Sequence, residues 1–315
     1  MKMSTSQKNK IQTVNGLIDP ASMGFTHSHE HVLWDYFKMI RSYDVIFDDE
    51  QVAQYEVQLF KDAGGGSLID ASSGGIGTKP DVLRRISENT GVNIVLGCGW
   101  YREIVYEDAV FRQTSNQLAQ RMVREIREGF EGTDIKAGFI GEIGTERGFI
   151  TAAEERVFRA AAKASLETGV AILTHTTHFG ELALEQIDLL ESAGVSPDRI
   201  IISHLGDRED TSSLLKIAAR GVYCSIDNIG YQGEGYPQDS VRLNSARELI
   251  DHGHLDRIVL GTDIGSRSAL RSYGGRGFPW LIESFVPAME EASFTAKEIE
   301  ALTITNIARA MTITK

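Results

Sequence analysis

Short apolar runs alternate with stretches of helical periodicity along this chain. Eight runs read as strands: "GFTHSHEH", "GGSLIDAS", "VNIVLGCG", "IKAGFIGE", "VAILTH", "RIIISH", "GVYCSID" and "RIVLGTD". Between them apolar positions recur every three or four residues, as in "AAEERVFRAAAKASLETG", where Gly169 closes the helix as its C-cap. Strand followed by helix, repeated eight times, predicts an α/β fold, a closed (β/α)8 TIM barrel in which every parallel strand brings its C-terminal end to one face. An open doubly wound sheet is the competing architecture. Against it, "AGGGSLIDASSGGIG" has the glycines of a phosphate loop without their order.

Ahead of the first strand, "IQTVNGLIDPASMG" predicts a short N-terminal β-hairpin with Asn15 and Gly16 at its turn, beneath the barrel floor. Residues 1–10 read as a disordered tail and residues 11–315 as a single domain, because no Pro-rich linker or break in composition divides them. The two longest irregular stretches, "NIGYQGEGYPQD" and "IGSRSALRSYGGRGFPW", follow strands seven and eight, where barrels of this kind build their pockets.

A hydrophobic share of 42% with 24% charged residues is ordinary for a globular protein. No apolar run approaches the roughly 18 residues of a membrane span, so no membrane partner is expected. A net charge of −12 argues against nucleic acid, whose binding requires Lys and Arg on phosphates. The polar first ten residues lack the apolar core of a signal peptide, which makes a cytoplasmic location the expectation. Cys98 and Cys224 stand among strand-like residues and read as reduced, buried thiols.

The candidate chemistry begins with His27, His29 and His31, which one regular strand would aim the same way. Partners come from other strand ends: Glu142 after strand four, His175 after five, His204 after six and Asp263 after eight. A parallel barrel gathers all of these at one face. Imidazoles with carboxylates suit Zn²⁺, Mn²⁺, Co²⁺ or Fe²⁺, and four imidazoles with two carboxylates exceed what one catalytic zinc takes. A centre of two divalent ions is therefore expected, with Zn²⁺ the first choice.

From "TVNGLIDPASMGFTHSHEH" to "TITNIARAM" the chain resembles the phosphotriesterase family of the amidohydrolase superfamily, on its "HEH" motif and on the later "GTDIGSRSALRSYGGRGFPW". The resemblance implies that His29, His31 and Asp263 hold one ion, that His175 and His204 hold the other, and that Glu142 bridges them. Many members have a carboxylated lysine at the bridging position; glutamate there is a feature of the phosphotriesterase homology branch. His27 is left for a hydrogen bond inside the barrel or behind the ligands. The implied chemistry is attack of a metal-bridging hydroxide on a lactone or other carboxylic ester of a small-molecule substrate, with Asp263 as base and Asp207 as an outward proton shuttle. Asn228 stands where phosphotriesterases have histidine, and it carries no proton at neutral pH, which handicaps that relay. Tyr101 matches a pocket tyrosine of lactonases and is expected on the substrate. Asn228 and Arg267 are further substrate candidates, and Arg271 and Arg276 share the eighth loop with Arg267. Phosphotriester and amide hydrolysis are the alternatives within enzymes, and a non-catalytic binding barrel is the alternative outside them. A homodimer is a family expectation, and Trp34, Tyr36 and Phe37 of the first loop would line either its interface or the pocket.

Overall fold

The computed structural model describes residues 7–177, 179–233 and 235–315. Residues 1–6 of the expected tail lie outside the described residues. Residues 7–10 do not behave as a tail: the Asn9 N–H donates to the Ile313 carbonyl at 2.8 Å, and the Ile313 N–H donates back to Lys10 at 2.9 Å. The two ends of the chain therefore pair.

The hairpin consists of β1 (Ile11–Thr13) and β2 (Gly16–Ile18). Thr13 pairs with Gly16, so Val14 and Asn15 form the turn, one residue earlier than expected. The barrel strands are β3 (Phe25–Glu30), β6 (Gly65–Asp70), β7 (Asn93–Cys98), β8 (Phe139–Thr145), β9 (Ile172–Thr176), β10 (Ile200–Ile202), β11 (Tyr223–Ile226) and β12 (Ile258–Leu260). They form one sheet in the order β12-β11-β10-β9-β8-β7-β6-β3, with every pair parallel. A small antiparallel ladder, β4 (Trp34–Asp35) with β5 (Ile46–Phe47), stiffens the loop after β3. At the seam where β12 returns to β3, the Asp263 N–H donates to the His29 carbonyl at 3.2 Å. Gly261 makes this approach possible, because a Cβ there would lie 2.8 Å from the His29 oxygen.

Alternation along the strands sorts the core into layers. Ile69, Val95, Phe139, Leu173, Ile201, Tyr223 and Val259, one from each of seven strands, form the barrel interior with Ile11 of the hairpin and Met23. The hairpin thus seals the floor. The intervening positions, among them Leu68, Ile94, Ile172, Ile200, Cys224 and Ile258, pack against the helices. Each such side chain contributes about 1.5–3 kcal/mol relative to exposure. Both cysteines are free and buried in this outer layer. The helix Ala152–Thr168 opens with a capping box between Thr151 and Glu154 and ends at Gly169, whose φ of +81° is the left-handed C-cap its sequence predicts.

Two local departures bear on the site. Strand β8 runs three residues past Glu142, because Gly144 and Thr145 continue to pair with His175 and Thr176. Glu142 therefore projects from within a strand. Strand β3 carries a bulge: His27 pairs with Leu68 and Glu30 with Asp70, so three steps on β3 match two on β6. Ser28 reaches Ser225 of β11 at 3.3 Å, across the interior, while the His27 ring lies 4.7 Å from Phe60 of the helix Glu50–Asp62. Regular alternation would have aimed His27 with His29 and His31, and the bulge turns it to the helix side instead.

No helix among the described residues is long and apolar enough to cross a membrane.

Candidate metal centre

Six side chains converge at the C-terminal mouth of the barrel. One oxygen of Glu142, Oε2, lies 3.3 Å from His29 Nε2, 3.2 Å from His175 Nδ1 and 3.8 Å from His204 Nε2. Its other oxygen, Oε1, lies 3.5 Å from His31 Nε2. Asp263 Oδ1 approaches His31 Nε2 at 3.2 Å and His29 Nε2 at 3.5 Å. His175 Nδ1 and His204 Nε2 are 2.7 Å apart. The donor atoms fall into two overlapping groups, His29 with Glu142 and His204, and His29 with His31 and Asp263, each within 4.8 Å.

The residues behind the ligands decide which ring nitrogens face inward. His29 Nδ1 lies 3.0 Å from Ser203 Oγ, and His31 Nδ1 lies 3.0 Å from Ser72 Oγ, which donates its own proton to Leu33 O at 2.9 Å. His204 Nδ1 donates to Asp227 Oδ1 at 2.8 Å. With the proton on Nδ1 in each case, Nε2 presents a lone pair to the centre, as metal-ligating imidazoles do. His29 Nε2 is buried and has no hydrogen-bond partner. That orphaned atom, facing two carboxylates, fits a divalent cation.

Electrostatics agree with this geometry. Burial disfavours charge on His29, yet Glu142 and Asp263 raise its pKa well above the usual imidazole value. His204 follows the same pattern: burial lowers it, and Asp227 and Asp263 bring it to about 9. Burial pushes Glu142 up, but His29 and His175 hold it well below the carboxylate range. His175, buried and beside His204, falls to about 4. A field that favours a proton on His29 favours a cation there still more.

Three positioning groups went unread in the sequence. Asp70 accepts from the Val32 and Ser72 N–H groups, each at 3.0 Å, and so fixes the turn that follows His31. Ser72 and Ser203 orient imidazoles. An acid at a strand end, as in "LIDAS", was the available signal for Asp70. Nothing distinguishes the serines until the strands are aligned.

The remaining candidates have varied settings. Tyr101 Oη stands 3.1 Å from His175 Nε2 and 3.2 Å from Nδ1, at the edge of the ligand ring. Asp207 accepts at Oδ1 from Arg242 Nε over 2.8 Å and at Oδ2 from Asn228 Nδ2 over 2.7 Å. Both of its oxygens are thus engaged, and the expected shuttle residue is half of a buried ion pair. Arg242 also pairs with Asp239 and donates to the Tyr231 and Pro237 carbonyls, so it anchors the seventh loop. Asp227 orients His204. Of the eighth-loop arginines, Arg267 donates to the Ile46 carbonyl at 2.6 Å and Arg271 pairs with Glu283, while Arg276 lies 3.7 Å over the Tyr231 ring and donates to Thr262 O. Arg267 therefore ties the eighth loop to the first. In the first loop Trp34 is buried on Phe47, Tyr36 meets the His31 ring edge at 5.6 Å, and Phe37 lies tilted against Tyr43 at 5.8 Å. Only Tyr36 of these three touches a ligand.

A (β/α)8 barrel whose mouth gathers four imidazoles and two carboxylates in this way defines a metal-dependent hydrolase. The model of the phosphotriesterase family matches residues 9–311. The chain is 33% identical to the phosphotriesterase homology protein of Escherichia coli, over 89% of this chain and 94% of that one. It is 29% identical to the N-acetyltaurine hydrolase of Danio rerio, over 97% and 98% of the two chains. A solved lactonase from Listeria monocytogenes superposes with a TM-score of 0.91 at 29% identity, covering 97% of this chain and all of the other. The chain belongs to the phosphotriesterase family.

Proposed function

We propose that this protein hydrolyses a carboxylic ester of a small molecule, most readily a lactone, with two divalent cations, zinc in the first instance. His29, His31 and Asp263 hold one cation in this reading, His175 and His204 hold the other, and Glu142 lies between them. When bound, such a pair supplies a nucleophile from water at neutral pH and polarises the bond to be cleaved.

The observation that carries the reading is the lopsided exposure of the ligands. The side chains of His29, His31 and Glu142 are at most 2% exposed and that of His204 is 7%, while Asp263 keeps 18% and His175 keeps 13%. Substrate therefore meets the centre beside Asp263 and His175, with Tyr101 Oη at its flank and Tyr36 on the adjoining wall. Asp263 takes the proton from the attacking water and returns it to the leaving oxygen. In a lactone that oxygen stays tethered within reach of the same carboxylate, so one group serves both transfers. A departing amine must be protonated before its C–N bond breaks, and Glu146, the carboxylate just after β8, is committed to Arg102. A relay outward ends at the Asp207–Arg242 pair, which weighs against chemistry that depends on it.

Likeness to the N-acetyltaurine hydrolase of Danio rerio supports amide hydrolysis as the second reading. The test compares initial rates of zinc- or manganese-loaded protein on lactones, N-acyl amines and an aryl phosphotriester. A preference for lactones of a hundredfold or more, about 2.7 kcal/mol at the transition state, supports the ester reading, and Glu142→Ala abolishes that activity. Faster turnover of the N-acyl amines or of the phosphotriester overturns it.

A further inference from the structure

Glu30 stands between two ligand histidines in sequence, yet its carboxylate faces away from them. Fully buried, it receives four hydrogen bonds. Oε1 accepts from His27 Nδ1 at 2.7 Å, from the Thr262 N–H at 2.9 Å and from the Thr262 hydroxyl. Oε2 accepts from the Ile264 N–H at 3.1 Å. The residues on both sides of Asp263 are thus fastened to one side chain, and the Asp263 N–H is fastened to His29 on the same strand. Asp263 itself has φ of +49°, a backbone conformation that residues other than glycine rarely adopt. A segment held in such a conformation at the open seam of the barrel needs restraint from outside itself, and β3 supplies it.

We propose that Glu30 is the positioning residue for Asp263, setting its carboxylate relative to His29 and His31 so that the three act as one set of ligands. The proposal rests on the reading of Asp263 as a ligand. The bulge in β3 is what makes the arrangement possible, because it leaves Glu30 and His27 on one side of the strand while His29 and His31 occupy the other. An aliphatic residue at 30 would strand two buried backbone donors beside a metal ligand. Glutamine keeps the volume but sets an NH₂ against one of those donors.

The test is a zinc titration of the full chain against a chromophoric chelator, with thermal unfolding run in parallel, for wild type, Glu30→Gln and Glu56→Gln. Glu56 is an equally buried carboxylate that accepts from the Arg271 and Ser272 N–H groups farther along the same loop, away from the metals. The expected result is that Glu30→Gln weakens the more loosely held of two zinc ions by tenfold or more. Glu56→Gln leaves both affinities within twofold while lowering the unfolding temperature comparably. Wild-type zinc affinities in Glu30→Gln overturn the proposal, as does equal weakening in Glu56→Gln, which would make the effect one of general stability. A wild type that binds a single ion overturns the two-ion reading and this proposal together. If Glu30→Gln does not fold, Glu30→Asp, which keeps the charge but withdraws it by one methylene, is titrated in its place with the same expected and overturning results.

Discussion

Asp227 grips His204 at two points, accepting from the ring at Nδ1 over 2.8 Å and from the main-chain N–H over 3.0 Å. The double hold fixes both the position of the residue and the rotation of its imidazole, since His204 has φ of +63° and no regular strand to carry it. His29 Nδ1 lies 3.5 Å from the other oxygen of the same carboxylate. One buried acid therefore orients two imidazoles of the candidate centre.

Replacing Asp227 by Asn removes the negative charge behind both imidazoles and sets an NH₂, in place of Oδ2, against the His29 Nδ1 and His204 main-chain N–H donors. Metal affinity is expected to fall by about 10–100-fold, the usual cost of removing a partner behind a ligating histidine. Chelator competition measures it, and an unchanged constant would show that His204 is oriented by its backbone alone.

Arg242 is fully buried and pairs with both Asp207 and Asp239. Arg242→Met leaves two carboxylates without a cation and is expected to cost about 3–5 kcal/mol of stability. Urea unfolding reads this directly. The Asp207→Asn change added to Arg242→Met should recover part of the loss, whereas additive losses would mean that the pair does not interact.

Burial alone pushes the Cys224 thiol up to about 12, and Cys98 is likewise raised well above its ordinary value. Neither forms thiolate at pH 8. A thiol reagent should find no reactive cysteine in the native protein and two after denaturation; rapid labelling of the folded chain would contradict the packing.

Glu298 is held at about 2 by Arg247 and by the Thr295 N–H that it caps. A carboxyl lowered on folding stabilises the folded state above its unfolded pKa, near 4.5, and that contribution is lost as pH falls toward 2. The pair lies at the surface, where Arg247 keeps 30% of its side chain exposed, so the contribution is at most about 1 kcal/mol. Glu298→Gln should flatten the acid limb of the unfolding midpoint between about pH 4.5 and 2 and leave the neutral-to-alkaline limb parallel to wild type.

The barrel and the convergence of its candidate ligands were legible because both depend on period and position: alternating apolar residues locate strands, and strand ends in a parallel barrel share a face. Glu142 was found by its type although it lies mid-strand, since β8 is longer than its apolar run. What sequence could not convey was pairing between distant segments. Nothing in "HEH" announces that its glutamate binds residues 262 and 264, and nothing in "SVRLNSARELI" marks Arg242 as the partner of Asp207. The bulge in β3 was equally hidden, because an extra residue is defined only against the strand beside it. The loops after β3 and β7 hold Tyr36 and Tyr101, and they matter to the site as much as the two longer loops that composition singled out.

That bulge makes β3 a strand with two independent clocks. Its first half is in register with β6 through Thr26 and His27, and its end is in register through Glu30 opposite Asp70. Removing Ser28 would take out the extra residue and leave His27 and Glu30 on the helix side with His29 still facing the interior, so the strand would pair regularly without moving a donor across the sheet. Within β3, then, one extra residue is what sets His27 and His29, two apart in sequence, on opposite faces.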